Sequence, residues 1–307
     1  MAGPAGQSRF LDPAVLAEIS RLDLRARQVV EGYVAGLHKS PRKGYSVEFA
    51  EHREYVPGDD IRYIDWKLWG RQDRFYIKQY EEETNLRCHL LLDISESMRF
   101  GTGPLGKFEY SATAAAAITF LLLKQRDAVG LRLFDDALRG VVPISGNWQS
   151  LHNILTLVDP IKPKRKTDFS VPLHDFADQA GRRSMIVIFS DLFAPLETIE
   201  AGLKHLRHKN HEVVLFHVLD ATELTFPFED NTRFLGLEAM PDLIAEPRSL
   251  RDGYLEVLGE FLEQMRRKCA QMRIDYILLS TGDRLDKSLS GFLAARARVV
   301  RGSTRRR

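Results

Sequence analysis

Leu90-Leu91-Leu92-Asp93-Ile94-Ser95-Glu96-Ser97 decides the fold. An apolar run that ends in an aspartate and two hydroxyls reads as a buried strand leaving the core at its carboxyl end. Open α/β sheets place their ligand sites at such ends. Hard oxygen donors two residues apart on one turn can face a common point. That arrangement suits a small, hard cation such as Mg²⁺, which takes near-octahedral oxygen at roughly 2.1 Å. Taken alone, Asp-x-Ser-x-Ser should arise by chance in about one chain in ten of this length. Asp93, Ser95 and Ser97 can equally do no more than cap the following helix. The choice rests on what else in the chain reaches the same point.

Outward from this stretch, apolar strand candidates recur at Leu86–Leu92, Ala128–Phe134, Ser184–Ser190, Glu212–Leu219 and Ile274–Ser280. Helix candidates lie between and beyond them, at about 107–126, 147–158, 169–180, 195–208, 251–272 and 285–297. Strands separated by helix-length segments predict βαβ units and a mainly parallel sheet with helices on both faces. Leu138–Pro143 follows Phe134-Asp135-Asp136 closely enough to return as an antiparallel edge strand. Upstream, Asp12-Pro13 reads as an N-cap with proline at the first helical position. Leu16, Ile19, Leu22, Ala26, Val30, Tyr33 and Leu37 then predict an amphipathic helix over 13–37. No internal repeat is evident. The expected organisation is therefore an N-terminal helix and basic break over 1–43, a charged and aromatic accessory segment over 44–85, the α/β domain over 86–300 and a basic tail over 301–307.

Composition narrows the function classes. Lys and Arg (44) nearly balance Asp and Glu (42), for a formal charge of +2, which argues against a dedicated nucleic-acid binder. The two cysteines, Cys88 and Cys269, fall in a strand and a helix candidate and read as buried, reduced thiols of a cytosolic protein. Met1 to Ser8 has neither the basic nor the apolar region of a secretory signal. Ala112–Leu123, the most apolar stretch, is too short to span a bilayer. The expectation is a soluble, cytoplasmic protein.

Two further segments fit the Asp93 site. Thr167 lies where a loop rich in Pro and Lys meets a helix, and Asp191 ends the apolar run Met185–Ser190 just as Asp93 ends its own. With these in place the chain resembles a von Willebrand factor A domain carrying a complete metal-ion-dependent adhesion site. The resemblance implies a Rossmann-like fold and a metal site of Asp93, Ser95, Ser97, Thr167 and Asp191, the hydroxyls binding directly and the carboxylates largely through water. It implies Mg²⁺ (or Mn²⁺) as cofactor, with an acidic side chain of another protein completing the coordination.

The segment before the first strand narrows the resemblance. Glu48-Phe49, Arg53-Glu54-Tyr55, Pro57-Gly58-Asp59-Asp60, Arg62, Ile64-Asp65-Trp66 and Glu82, with Leu250-Arg251, Tyr254, Phe292-Leu293 and Arg296 further on, resemble the bacterial and archaeal family called domain of unknown function 58. The likeness runs from about residue 44 to 298. It implies work beside a MoxR-type AAA+ ATPase, in a chaperone-like or cofactor-insertion role. Physically, Asp60 is expected to cap a short helix that sets Ile61, Ile64 and Leu68 on one side. Arg53, Arg62 and Trp66 then belong either to a latch onto the sheet domain or to a partner-binding surface.

Lys164, Arg165 and Lys166, just before Thr167, read as a solvated loop or as an electropositive rim that steers an acidic partner, with a nucleic-acid contact, favoured slightly by the tail Arg305-Arg306-Arg307, as a third reading. His205, His208 and His211 are evenly spaced, but the first two fall in the last turn of a helix, where cations complement the dipole, and no cysteine is close in sequence. Asp135, Asp136 and Asp220 also follow strands and can either join the site's surroundings or cap turns. The leading expectation is a non-enzymatic, metal-dependent protein-binding domain that serves a MoxR-type ATPase. The alternatives are a metal-assisted phosphohydrolase using Asp93 and Asp191, and an RNA-binding A-type domain.

Overall fold

A computed structural model describes residues 47–56, 64–72, 74–82, 86–166, 168–181, 183–238 and 240–285. The expected N-terminal helix over 13–37, the helix over 285–297 and the basic tail lie outside these residues, as do Asp60, Ile61, Arg62 and Thr167. The accessory segment contains β1 (Val47–Glu54), α1 (Trp66–Gln72) and β2 (Tyr76–Glu82). β1 and β2 form an antiparallel ribbon in which Arg53 stands opposite Ile77. This ribbon is not foreshadowed in the sequence, where charges mask the alternation that marks a strand. The short helix also differs from expectation. Ile64 lies outside it, and α1 starts one turn later, with Asp65 accepting from the Leu68 amide at 3.2 Å. Trp66, Trp69 and Phe75 cluster, with Trp69 stacked on Phe75 at 5.8 Å.

The α/β domain runs β3 (Arg87–Asp93), α2 (Lys107–Lys124), β4 (Ala128–Phe134), β5 (Leu138–Ser145), α3 (Gln149–Val158), α4 (Ser170–Gln179), β6 (Met185–Ser190), α5 (Leu196–His208), β7 (Glu212–Leu219), α6 (Ala221–Thr225), β8 (Thr232–Phe234), β9 (Leu243–Ala245), α7 (Pro247–Gln271) and β10 (Asp275–Ser280). Six strands form one sheet in the order β10-β7-β6-β3-β4-β5. All neighbours are parallel except β4 and β5, so the expected antiparallel edge strand is present.

Layering follows from strand alternation. Leu90 and Leu92 face a core built with α2 and α3. Leu91, Ile186 and Ile188 face the opposite core, built with α4, α5 and α7. A strand covered on both sides is apolar at nearly every position, which is why β6 and long stretches of β3 and β7 read as apolar runs. The chain leaves β3 for β4 on one side and later returns to β6 on the other. The crevice between the carboxyl ends of β3 and β6 is thus the switch point of the sheet.

Gly130 allows the β4–β5 edge to close. A Cβ there would meet the Ile144 amide nitrogen and the Val142 carbonyl, both at 2.8 Å. Gly130→Ala is expected to destabilise the domain by about 1–3 kcal/mol, read as a lower urea midpoint, with faster amide exchange confined to β5. Unchanged stability would mean that the edge pairing gives way at little cost.

Candidate metal centre

β3 and β6 deliver their terminal residues to the switch point. Asp93 is fully buried, and both of its carboxylate oxygens are engaged. Oδ1 accepts the Ser95 amide at 2.8 Å, and Oδ2 accepts the Ser190 hydroxyl at 2.6 Å. A short 3-10 turn, Glu96–Arg99, then carries the chain away. On it the Ser95 and Ser97 hydroxyl oxygens lie 3.1 Å apart. Ser95, at the N-cap of the turn, makes no side-chain capping bond, which weakens its reading as a mere cap. Two adjacent oxygens of an octahedron with 2.1 Å bonds are about 3.0 Å apart. The two hydroxyls are hydrogen-bonded to each other, and that separation also matches the spacing Mg²⁺ asks of two neighbouring ligands.

The loop before α4 is brought to the same place. Ser95 and Arg165 form a parallel bridge, and the Glu96 amide donates to the Arg165 carbonyl at 2.7 Å. On the other side of position 167, the Asp168 amide donates to the Asp135 carbonyl at 3.3 Å. Lys164, Arg165 and Lys166 are exposed beside the site, with Arg165 3.9 Å from Asp136. Asp135 and Asp136 pair with Arg139, so they brace the β4–β5 turn. Trp66 is 59% exposed on the accessory segment. The histidines do not gather: His205 faces His174 and Asp178, whereas His211 Nδ1 accepts the Ser184 amide at 3.2 Å.

Asp191 is buried and meets a partner that sequence reasoning missed. Lys107, the first residue of α2, is 2% exposed and donates to Asp191 Oδ2 at 2.7 Å and to Glu223 at 2.9 Å. An ammonium at a helix N-terminus opposes the macrodipole, and burial alone would lower its pKa. The charges of Asp191 and Glu223 prevail and hold Lys107 above the ordinary lysine range. The one available signal was a lysine opening the most apolar helix of the chain, where an acidic residue is the common choice. Burial pushes the Glu223 carboxyl up despite this contact. Asp220 caps α6 beside it. Burial would raise Asp220 as well, but hydrogen bonds from Thr102, Thr281 and Thr222 keep its carboxyl far below the usual range.

Electrostatics make the crevice short of positive charge. Burial, and then the negative charge of Asp191, pushes the Asp93 carboxyl up to about 7. His217 lies nearby, with Nε2 3.0 Å from the Asp191 carbonyl and Nδ1 2.7 Å from the Tyr276 hydroxyl, but burial pushes it down to about 4, so it supplies no charge at neutral pH. Lys107 touches Asp191 and Glu223, whereas the hydrogen-bond partners of Asp93, Ser190 and Ser95, are neutral, so a bound cation would ease the ionisation of Asp93. Among the described residues no three His, Cys, Asp or Glu side chains converge as a metal cage. The donor set that fits a cation here is instead two hydroxyls flanked by two carboxylates, which is oxygen chemistry suited to Mg²⁺ or Mn²⁺.

The match to known proteins covers this site and both flanks. The family described as protein of unknown function DUF58 matches residues 51–258. The chain belongs to the DUF58 family. Two uncharacterized relatives, Mb1516 of Mycobacterium bovis and Rv1480 of Mycobacterium tuberculosis, are each 31% identical to this DUF58 chain over 219 residues, 70% of this chain and 68% of theirs. Among solved structures it is similar to the conserved hypothetical protein BatB from Bacteroides thetaiotaomicron, with 14% identity, 70% and 100% coverage and a TM-score of 0.46. It is also similar to an aerotolerance-related membrane protein from Bacteroides fragilis, with 16% identity, 70% and 99% coverage and a TM-score of 0.47.

The raised pKa of Asp93 sets a sign. Its contribution to stability is present below the ordinary value of 3.8 and lost as pH rises through about 7, where the folded state must hold the bare charge. Asp93→Asn is therefore expected to stabilise the metal-free protein above neutral pH by about 1–3 kcal/mol, measured by urea unfolding in EDTA. The same variant should lose any further gain on adding Mg²⁺. A variant less stable than wild type in EDTA would show that the hydrogen bonds of the carboxylate outweigh its charge.

Proposed function

We propose that residues 86–300 are a von Willebrand factor A-like domain with a metal-ion-dependent adhesion site, and that the protein is a non-enzymatic adaptor or co-chaperone of a MoxR-type AAA+ ATPase. The observation that carries this reading is the Ser95–Ser97 hydroxyl pair, 3.1 Å apart, beside two buried carboxylates at the switch point. Ser95 and Ser97 present their oxygens to the cation, and Thr167, which lies outside the described residues, is the proposed third hydroxyl. Asp93 holds the turn through the Ser95 amide, and its second oxygen is fixed by Ser190. Asp191 is held by Lys107, which leaves it suited to outer, water-mediated contact. A divalent cation bound there supplies an electrophile for an external carboxylate.

Lys164, Arg165 and Lys166 stand exposed next to this point and favour the approach of an acidic partner. Trp66, exposed on the accessory segment, is a second candidate contact point; Arg62, expected to join it, lies outside the described residues. A phosphohydrolase would need a base to activate water. His217, beside Asp191, has both ring nitrogens engaged, which supports binding over turnover. A cytoplasmic location is part of the proposal. No described helix is long and apolar enough to cross a membrane.

In a pull-down from the source organism's lysate, a MoxR-type ATPase is expected in the Mg²⁺ arm and absent both in EDTA and with Asp93→Ala. Capture indifferent to EDTA and to Asp93→Ala would overturn the metal-dependent reading. Reversing charge at Lys164 and Arg165 is expected to slow association about tenfold at low salt while changing dissociation little, as read by surface plasmon resonance.

A further inference from the structure

Glu238 stands at the mouth of the metal centre, and the proposed function does not use it. It belongs to the loop between β8 and β9, yet it is only 7% exposed while its neighbours Leu235 and Met240 are 69% and 58% exposed. Its Oε1 lies 3.4 Å from the Ser97 amide nitrogen, and its own amide donates to Glu96 Oε2 at 2.9 Å. The glutamate is thus held against the very turn that carries the hydroxyl pair. Its φ of 55° lies in the left-handed region, which side chains other than glycine rarely adopt.

The surrounding loop imposes that conformation. Arg233 reaches across the hairpin to Asp242 Oδ2 at 2.8 Å, and the Gly236 amide donates to Asp242 Oδ1 at 3.0 Å. A Cβ at Gly236 would come within 1.9 Å of the Met240 carbonyl, so the turn can close only on glycine. At its base, Phe226, Phe228 and Phe234 pack together, and Arg251 donates to the Phe226 and Phe228 carbonyls at 2.9 and 3.0 Å. The base is anchored, while at the tip the Glu238 backbone is tied to Glu96 and its carboxylate meets the site through a long contact to the Ser97 amide. A 3.4 Å N–H···O contact sits at the weak end of the range and can be exchanged.

We propose that Glu238 is an intramolecular stand-in for the partner's carboxylate: it covers the Ser95–Ser97 face of the metal centre and must leave before an external acidic side chain can bind. The inference rests on the metal-site reading above and adds the regulation of that site. A carboxylate beside Ser97 is the group an acidic ligand would bring, and it already lies on the strand-end side where the hydroxyls are. Displacement transfers the site from an internal to an external carboxylate of the same charge. The exchange therefore needs no new counterion, and external affinity is scaled by the fraction of molecules in which the cover is open.

The test uses Mn²⁺ alone as the metal and acetate as the carboxylate, with acetate proton relaxation reporting its approach to the bound ion. Hydrogen exchange at Ser97 and over residues 232–245 reports the cover itself. Glu238→Gln removes the charge, and Glu238→Gly also relieves the left-handed backbone. Both are expected to bind acetate at the ion about tenfold more tightly than wild type, as for a cover closed about nine-tenths of the time, and to exchange faster at Ser97. If Mn²⁺ binds and is lost in Asp93→Ala, but acetate affinity and exchange are the same in wild type and both variants, this inference falls and the metal reading stands. If wild type binds no Mn²⁺, both fall together.

Discussion

Asp93 and Asp191 end parallel strands that lie side by side, so the sheet itself forces two carboxylates into one nearly water-free crevice. Burial, and after it the charge of Asp191, raises the cost of ionising Asp93. The surroundings read as answers to that constraint. Ser190 and the Ser95 amide take the two oxygens of Asp93, Lys107 is drawn against its helix dipole to reach Asp191, and Glu223 is pulled in by the same ammonium. The Ser95 and Ser97 hydroxyls, hydrogen-bonded to each other, stand beside these carboxylates; in the proposed reading they would be ligands of a divalent cation.

The same constraint explains why the surrounding loops are so tightly tied. The Arg165 carbonyl is fixed by Glu96, Asp168 by the Asp135 carbonyl, and Glu238 by both Glu96 and Ser97. Two of these ties fasten a surface segment to the turn after β3 and the third to the residue after β4, rather than to the apolar core. Electrostatic preorganisation of this kind costs backbone freedom, visible in the left-handed conformation of Glu238 and of Leu192, one residue after Asp191.

The sheet was legible because burial on both faces leaves continuous apolar runs, and all five parallel strands lie where those runs fall. β5 was legible from its closeness to Asp135-Asp136. Helix limits were less so: α7 begins at Pro247, the first helical position, four residues before its expected start. The ribbon of β1 and β2 escaped because its charged residues hide the two-residue period. β8 and β9 escaped because three-residue strands carry almost no pattern, and a cross-hairpin Arg233–Asp242 pair does the work of packing. Of the candidate site, Asp93, Ser95, Ser97 and Asp191 could be read from strand ends. Lys107, Glu223 and Glu238 could not, since only the folded chain brings positions so far apart in sequence together.

Cys88 lies in β3 and faces the core shared with α2, whereas Cys269 lies in α7 and faces the opposite one. The sheet stands between them, so oxidation cannot join them without opening the fold. Each is fully buried, and burial pushes the Cys269 thiol up to about 12. A thiol that is both hidden and protonated reacts only when its own face comes apart. The molecule thus carries two chemically silent reporters, one per layer, and the rates at which an alkylating reagent finds them would tell whether the two cores loosen as one unit or in turn.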